Sequence, residues 1–270
     1  MALTLAAQQT KTLYLLHTSD THSRMEPLDN RAADPDAGKG GAVRRVTFIR
    51  QFRAEHPATV VLDCGDYSQG TPYYNFYRGE LEAKMMNLMG YDAIAIGNHE
   101  FDFGLENLAR LMQLAGCPTV CANYDVSGTP LEGQVKPYAV VERAGLRIGI
   151  FGLGPKLEGL VQMDKCEGVV YKDPVTAAQK TADDLRGKER CDVVICLSHL
   201  GFQLPGSEDA DDELLATQTR NIDAILGGHS HTNMDAPVFY KNADGKDVAV
   251  MHTGRNGAHV GVWKLTLEED

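Results

Sequence analysis

Residues 59–71 read Thr-Val-Val-Leu-Asp-Cys-Gly-Asp-Tyr-Ser-Gln-Gly-Thr, a short apolar run that ends on carboxylates and glycine. Thr59–Asp63 has the length and unbroken Val/Leu character of a strand covered on both faces. The same pattern predicts strands at Leu13–His17, Ala93–Ile96, Thr119–Ala122, Leu146–Phe151, Val193–Ser198 and Ala224–Gly227. Between them the apolar spacing shifts to the helical period. Val43, Val46, Ile49 and Phe52 form one stripe, stopped by His56-Pro57. Leu81, Met85, Leu88 and Met89 form a second, ended by Gly90. Leu105, Leu108, Leu111, Met112 and Ala115 form a third, ended by Gly116 and Pro118. Asp173-Pro174 reads as N-cap and first helical residue of a helix through Leu185 that stops at Gly187. Beyond Pro237 the chain turns β-rich, at Val238–Tyr240, Val248–Met251 and His259–Leu267. Helix-bearing β units with a β-rich end predict an α/β fold of mixed sheets covered by helices.

At 270 residues the chain is long enough for a large core, and no repeat or linker divides it. One domain over residues 11–270 is expected, after a terminal arm or signal-peptide remnant at 1–10. That arm, MALTLAAQQ, has apolar and small residues but no basic start; the reading favoured is a clipped export signal, hence a periplasmic or secreted protein, with a cytoplasmic one as the alternative. No run approaches the ~18 apolar residues of a membrane span. The formal charge of −11 (26 Lys plus Arg against 37 Asp plus Glu) argues against a nucleic-acid polymer as partner, since that binding needs a basic face. Of six cysteines, Cys64 and Cys196 read as small buried hydrophobes; one bridge among Cys117, Cys121, Cys166 and Cys191 is left open. The acidic run Ser207–Glu213 reads as a solvated loop and first helical turn. His17, His56 and His259 read as structural, and His252 as a core imidazole or a support behind a site.

Five strings carry chemistry, and four of them directly follow a predicted strand: Asp20-Thr21-His22, Gly65-Asp66, Gly97-Asn98-His99-Glu100, Ser198-His199 and Gly228-His229-Ser230-His231. Residues i and i+2 of an extended segment point to one side, which pairs Asp20 with His22 and His229 with His231. Taken singly each string has an ordinary reading as a turn or surface residue. Together they hold five of the nine histidines, each among small or polar neighbours. Asp20, His22, Asp66, Asn98, His199, His229 and His231 are seven donors, more than the six positions of one octahedral ion. With Asp66 shared, they supply four bonds to each of two ions and leave positions open for water and substrate. Two dications would make a local positive field able to hold a phosphate in an acidic protein.

The ordered series D-x-H, G-D, G-N-H-E, a lone His and G-H-x-H resembles the calcineurin-like metallophosphoesterase superfamily. Leu15–His22, Gly65–Thr71, Gly97–Gly104 (GNHEFDFG), Ala122-Asn123-Tyr124 and Thr253-Gly254-Arg255 through Leu267 resemble the catalytic N-terminal domain of the 5′-nucleotidases. The resemblance implies a four-layer α/β/β/α sandwich with a dimetal centre at one edge of two mixed sheets. It implies Asp20, His22 and His231 on one ion, Asn98, His199 and His229 on the other, and Asp66 bridging. His99 and Asp102 match the catalytic dyad, with Asn98 and His99 toward substrate. Arg255, in a Gly-flanked loop, keeps two readings, phosphate contact or surface residue. The activity implied is hydrolysis of small phosphomonoesters, nucleoside 5′-monophosphates first, with phosphodiester or nucleotide-sugar hydrolysis, thiosulfate-ester hydrolysis or a non-catalytic scaffold as alternatives. Mn, Zn, Fe, Co and Mg are all compatible with the donor set. The family's C-terminal nucleotide-specificity domain has no counterpart in these residues, which leaves three readings: a separate chain that supplies base recognition, loose specificity of this chain alone, or another phosphoester as substrate.

Overall fold

A computed structural model of the chain describes residues 10–31, 33–204 and 209–268. The proposed signal remnant therefore lies almost wholly outside the described residues, and so do Ser207 and Glu208 of the acidic run. The elements run β1 (Thr10–Thr18), α1 (Ala42–Glu55), β2 (Thr59–Asp63), α2 (Pro72–Tyr77), α3 (Glu80–Met89), β3 (Ala93–Ile94), α4 (Leu105–Ala115), β4 (Thr119–Val120), β5 (Tyr124–Asp125), β6 (Val135–Lys136) and β7 (Tyr138–Arg143). They continue with β8 (Leu146–Leu153), β9 (Val170–Tyr171), α5 (Pro174–Gly187), β10 (Val193–Ser198), α6 (Asp212–Gln218), β11 (Ala224–Gly227), β12 (Val238–Lys241), β13 (Asp247–His252) and β14 (Gly261–Glu268).

Two six-stranded mixed sheets result, ordered β14-β1-β2-β3-β4-β6 and β12-β13-β11-β10-β8-β7. In the first, β1 through β4 and β6 are parallel and β14 returns antiparallel along β1; in the second, β7 and β12 are the antiparallel edges. Strand alternation explains the layering. Leu13, Leu15, Val60 and Leu62 of one sheet meet Ile148, Ile150, Ile195, Leu197 and Leu226 of the other in a dry inter-sheet core. The intervening Leu16, Val61 and Ile94 face the opposite way, against Ile49, Ala83, Met86 and Leu111 of α1, α3 and α4. Val194, Cys196, Ile225 and Val250 likewise face Ala178, Ala182, Leu185 and Leu215 of α5 and α6. The architecture is the expected four-layer α/β/β/α sandwich.

Local chemistry sets several boundaries. The Asp173 carboxylate accepts the Thr176 N–H at 2.7 Å, with Pro174 in the first turn, as the N-cap reading requires. Gly90 and Gly116 close α3 and α4 at φ of 67° each. Other details differ from expectation. The inner face of α3 is Ala83, Met86 and Met89, and Leu88 is 48% exposed; on α1, Val43 is 69% exposed while Ala42, Arg45 and Ile49 are buried. Both stripes were placed by apolar spacing, but the docking angle against the sheet turns each helix by part of a turn. The third and fourth strands end two residues early, at Ile94 and Val120, although the Ala95 and Cys121 N–H groups still bond the Asp63 and Lys136 carbonyls at 2.8 Å. β7, with half-buried residues at a sheet edge, lacks the continuous apolar run that marks the others. All six cysteines are free thiols.

Candidate functional site

Every chemistry-bearing string lies where a strand of the parallel core ends. β1 delivers Asp20 and His22, β2 delivers Asp66, the bend after β3 delivers Asn98 and His99, β10 delivers His199, and β11 delivers His229 and His231. The backbone there is not extended. Asp20, His22, Asp66, His229 and His231 have φ of 48°, 45°, 54°, 72° and 56°. Non-glycine residues avoid that region, at about 1–3 kcal/mol each, so the surrounding structure must enforce it. It does so with hydrogen bonds between strings: Asp20 N–H to the Gly65 carbonyl (2.9 Å), His22 N–H to the Asp66 carbonyl (3.1 Å) and His229 N–H to the Asp20 carboxylate (3.0 Å). Gly97 meets a second constraint, since a Cβ there would sit 2.1 Å from Asp66 Oδ1.

Two donor groups form. Asp20, His22 and His231 gather in one, and Asp66, His199 and His229 in the other, with the ligand-type atoms in each within 4.8 Å of one another. Neither pair is on extended backbone, so the i, i+2 argument applies to neither: Asp20 and His22 nevertheless share a group, whereas His229 and His231 go to different groups. Between His22 and His231 the Nε2 atoms approach to 2.9 Å, and Asp20 Oδ1 lies 4.0 and 3.6 Å from them. His199 Nε2 lies 3.1 Å from Asp66 Oδ2 and 3.9 Å from Asp20 Oδ1, linking the two groups. A carbonyl only accepts, so the 2.7 Å contact of His199 Nδ1 with the Cys64 carbonyl makes Nδ1 the donor and points Nε2 into the centre.

Buried polar atoms normally have partners. Here His22 Nδ1 and Asn98 Oδ1 are buried without a hydrogen bond, and His199 Nε2 has the Asp66 carboxylate alone, at 3.1 Å. Imidazole nitrogens, carboxylate oxygens and an amide oxygen gathered in one place are the donors that Mn, Zn, Fe or Co would take. Electrostatics agree. Burial holds His22 and His229 at about 4 and lowers His231 with help from the Arg255 charge, so three rings keep free lone pairs at neutral pH. Burial pushes Asp20 up to about 6. Burial alone would raise Asp66 too, but the His199 charge and hydrogen bond hold it well below the usual carboxylate range. His199 itself is carried to about 10, against its burial, by the Asp66 carboxylate.

Beside these groups His99 Nδ1 donates to Asp102 Oδ2 at 3.0 Å, and the His99 ring centroid is 5.6 Å from that of His22. Burial disfavours the charged His99 ring, but the Asp102 hydrogen bond and the Asp66 charge outweigh it and raise its pKa. Arg255 is exposed yet near enough to act electrostatically on His231.

Two features escape the sequence reading. The buried Glu100 carboxylate accepts the N–H groups of Gly97 (2.8 Å), Asp66 (2.9 Å) and Ser68 (3.1 Å), clamping the loop after β2 to the loop after β3. Only its place inside the G-N-H-E string hinted at this. Asp212, assigned to a solvated turn, is fully buried and binds His252 Nε2 at 2.7 Å against Gly227; the sign of the run was legible but not the inward face of α6. His17, His56 and His259 stay apart from both donor groups.

The chain is 32% identical to rat 5′-nucleotidase across 95% of its own residues and 46% of the relative. Its structure is similar to that of a 5′-nucleotidase precursor from Thermus thermophilus (TM-score 0.82, 35% identity, 94% of this chain and 51% of that one). It is also similar to the NAD nucleotidase of Haemophilus influenzae (TM-score 0.83, 26% identity, 96% and 53%). The chain thus spans about half the length of the relatives it matches. Residues 13–233, which carry both donor groups, match the model of the calcineurin-like phosphoesterases, and the chain belongs to that family.

Proposed function

We propose that this chain is a metal-dependent phosphohydrolase that cleaves phosphomonoesters, nucleoside 5′-monophosphates foremost. The observation that carries this reading is the pair of adjoining donor groups, joined through the His199 contacts with Asp66 and Asp20. Asp20, His22 and His231 would hold one divalent cation, Asn98, His199 and His229 the other, and Asp66 both. When bound, the cations supply a nucleophile at neutral pH by lowering the pKa of water and draw charge from the phosphoryl oxygens. The chain's own residues do the rest. Asp102 fixes the His99 ring through Nδ1, leaving Nε2 to hydrogen-bond the phosphoryl group and pass a proton to the departing alkoxide. The Asp102 hydrogen bond and the Asp66 charge favour the protonated ring, raising the His99 pKa against its burial. Asn98, beside it, and Arg255, on the open side of His231, would contact the phosphoryl oxygens.

We take residues 11–270 as a single catalytic unit. A second reading, phosphodiester or nucleotide-sugar hydrolysis on the same centre, draws on the likeness to the NAD nucleotidase. Turnover of AMP, a cyclic nucleotide and a UDP-sugar by the Mn-, Zn- or Co-loaded chain separates the two. Preference for AMP supports the first, preference for either of the others the second, and inactivity on all three across the metals refutes both.

A further inference from the structure

Arg45, in the first turn of α1, is buried, a place arginine rarely takes unless it is paired. Its guanidinium grips two segments beside Asp20. Nη2 donates to the Arg24 carbonyl (3.5 Å), and the Arg24 N–H in turn closes the bend around His22 on the Thr21 carbonyl (3.0 Å). Nη1 donates to the Gly257 carbonyl (3.4 Å), next to Asn256, whose N–H holds the Asp20 carbonyl at 2.7 Å. The fit is close: a Cβ at Gly257 would lie 1.9 Å from Nη1. Asp63, fully buried at the end of β2, ties the donor strings a second time. It accepts the Thr18 hydroxyl (2.6 Å), two residues before Asp20, and the Gly65 N–H (3.0 Å), one before Asp66.

The two buried charges do not bond each other. Arg45 Nε has no hydrogen-bond partner, and among the described residues the Asp63 oxygens bond only Thr18 and Gly65. Yet they interact. Burial pushes Asp63 up to about 7 and lowers Arg45, and in each the opposite charge resists the shift. A cavity of ≈ 10 Å³ is lined by both residues, with Tyr67, Glu82 and Tyr91. That is about the room one water needs. The Tyr67 hydroxyl and Glu82 Oε2, on the same lining, are also buried without partners. A cation there would meet the guanidinium, and an anion two carboxylates, so a neutral molecule suits the lining. Water accepts from Arg45 Nε–H and donates to carboxylate and hydroxyl oxygens, and a bridge of this kind relieves two buried charges of standing unpaired. We infer that the cavity holds one ordered water joining Arg45 Nε to the Asp63 carboxylate, and that Arg45 is thereby a positioning residue for the strings that carry Asp20, His22 and Asp66. It acts on them through two carbonyls and the water. The effect on cations rests on the metal-centre reading above; the water does not.

The test has two readouts. A high-resolution crystal structure of the metal-free chain should show a water peak within hydrogen-bond distance of Arg45 Nε and an Asp63 oxygen. An empty cavity, a direct bond between Arg45 and Asp63, or a peak with anomalous signal overturns the water site. Mn²⁺ affinity, read by calorimetry, is then compared for wild type, Arg45→Lys and Arg45→Met, beside urea midpoints of the metal-free proteins. Lysine keeps the charge but has one head group to serve two carbonyls and a water. Removing a side chain that orients metal ligands typically weakens metal binding about 10–100-fold. Because Arg45 acts on backbone rather than on the ligand side chains, a rise in Kd of about tenfold is expected in either variant, at the low end of that range. Arg45→Lys, the milder change, carries the comparison if Arg45→Met does not fold. A lowered midpoint with wild-type Mn²⁺ affinity makes Arg45 part of the scaffold only and overturns the positioning role. A wild-type chain that binds no Mn²⁺ refutes the metal-centre reading and the positioning role together, while the density in the cavity still decides the water.

Discussion

Replacing Glu100 tests whether one buried carboxylate holds the site together. Its two oxygens accept three backbone N–H groups, those of Gly97, Asp66 and Ser68 at 2.8–3.1 Å, in a place with 1% exposure. Truncation to Ala leaves those donors buried and unpaired, at about 1–3 kcal/mol each. Partial relaxation and water entry reduce the sum, so Glu100→Ala should destabilise the fold by about 3–5 kcal/mol, a large part of the ~5–15 kcal/mol that folded domains possess. Glu100→Gln keeps one acceptor but turns an NH₂ toward at least one N–H; about 2 kcal/mol is expected. Urea unfolding of the metal-free proteins reads the midpoint shift without interference from cation binding. Because the clamp positions Asp66, the Gln variant should also bind cations more weakly. A Gln variant with wild-type midpoint and cation affinity would refute the reasoning.

Further outcomes follow from the same geometry. His99→Ala should retain both cations by elemental analysis while kcat falls about 10²–10⁴-fold; an unchanged kcat removes His99 from the chemistry. Asp66→Ala, which removes the carboxylate shared by the two donor groups, should lower the content to one ion per chain or fewer, whereas two retained ions would contradict the bridging role. Gly97→Ala places a methyl group 2.1 Å from Asp66 Oδ1 and should abolish turnover even where circular dichroism shows a folded chain. His17 is fully buried, neither ring nitrogen has a partner, and burial followed by the His252 charge lowers its pKa to about 3. The unfolded chain takes up that proton near pH 6.5 and the folded one does not. Stability therefore falls as pH drops from about 6.5 toward 3, by ~1.4 kcal/mol per unit from this residue. His17→Leu should flatten that slope and be neutral or stabilising at pH 7, as read from urea midpoints against pH; an unaltered slope would reject the assignment.

The elements with strong signals were readable from residues alone: Thr59–Asp63, Val193–Ser198 and Ala224–Gly227 because buried parallel strands are unbroken apolar runs, α4 and α5 because Gly116 and Asp173 punctuate them. The donor types were readable too, because glycine and aspartate at strand ends have no packing reason to stand beside so many histidines. What escaped depends on the third dimension. β7 is an edge strand with mixed burial, and α2 is six residues with no repeating stripe. Leu88 and Val43 were assigned inward by spacing, yet the docking of each helix decides which face is covered. Period-two logic did not apply at Asp20-His22 or at His229-His231, because all four residues are left-handed, and hydrogen bonds between strings hold Asp20, His22 and His229 there, a constraint absent from any single segment. The Glu100 clamp and the Asp212–His252 pair join residues 32–40 positions apart, and no local pattern announces them.

The proposed chemistry requires two cations in this centre. Anomalous diffraction from crystals of the chain reconstituted with Mn²⁺ or Zn²⁺ measures that directly. The account predicts two peaks per chain, one bound by Asp20, His22 and His231, one by Asn98, His199 and His229, and the Asp66 carboxylate between them. A single peak at saturating metal, or peaks held by other side chains, would contradict it.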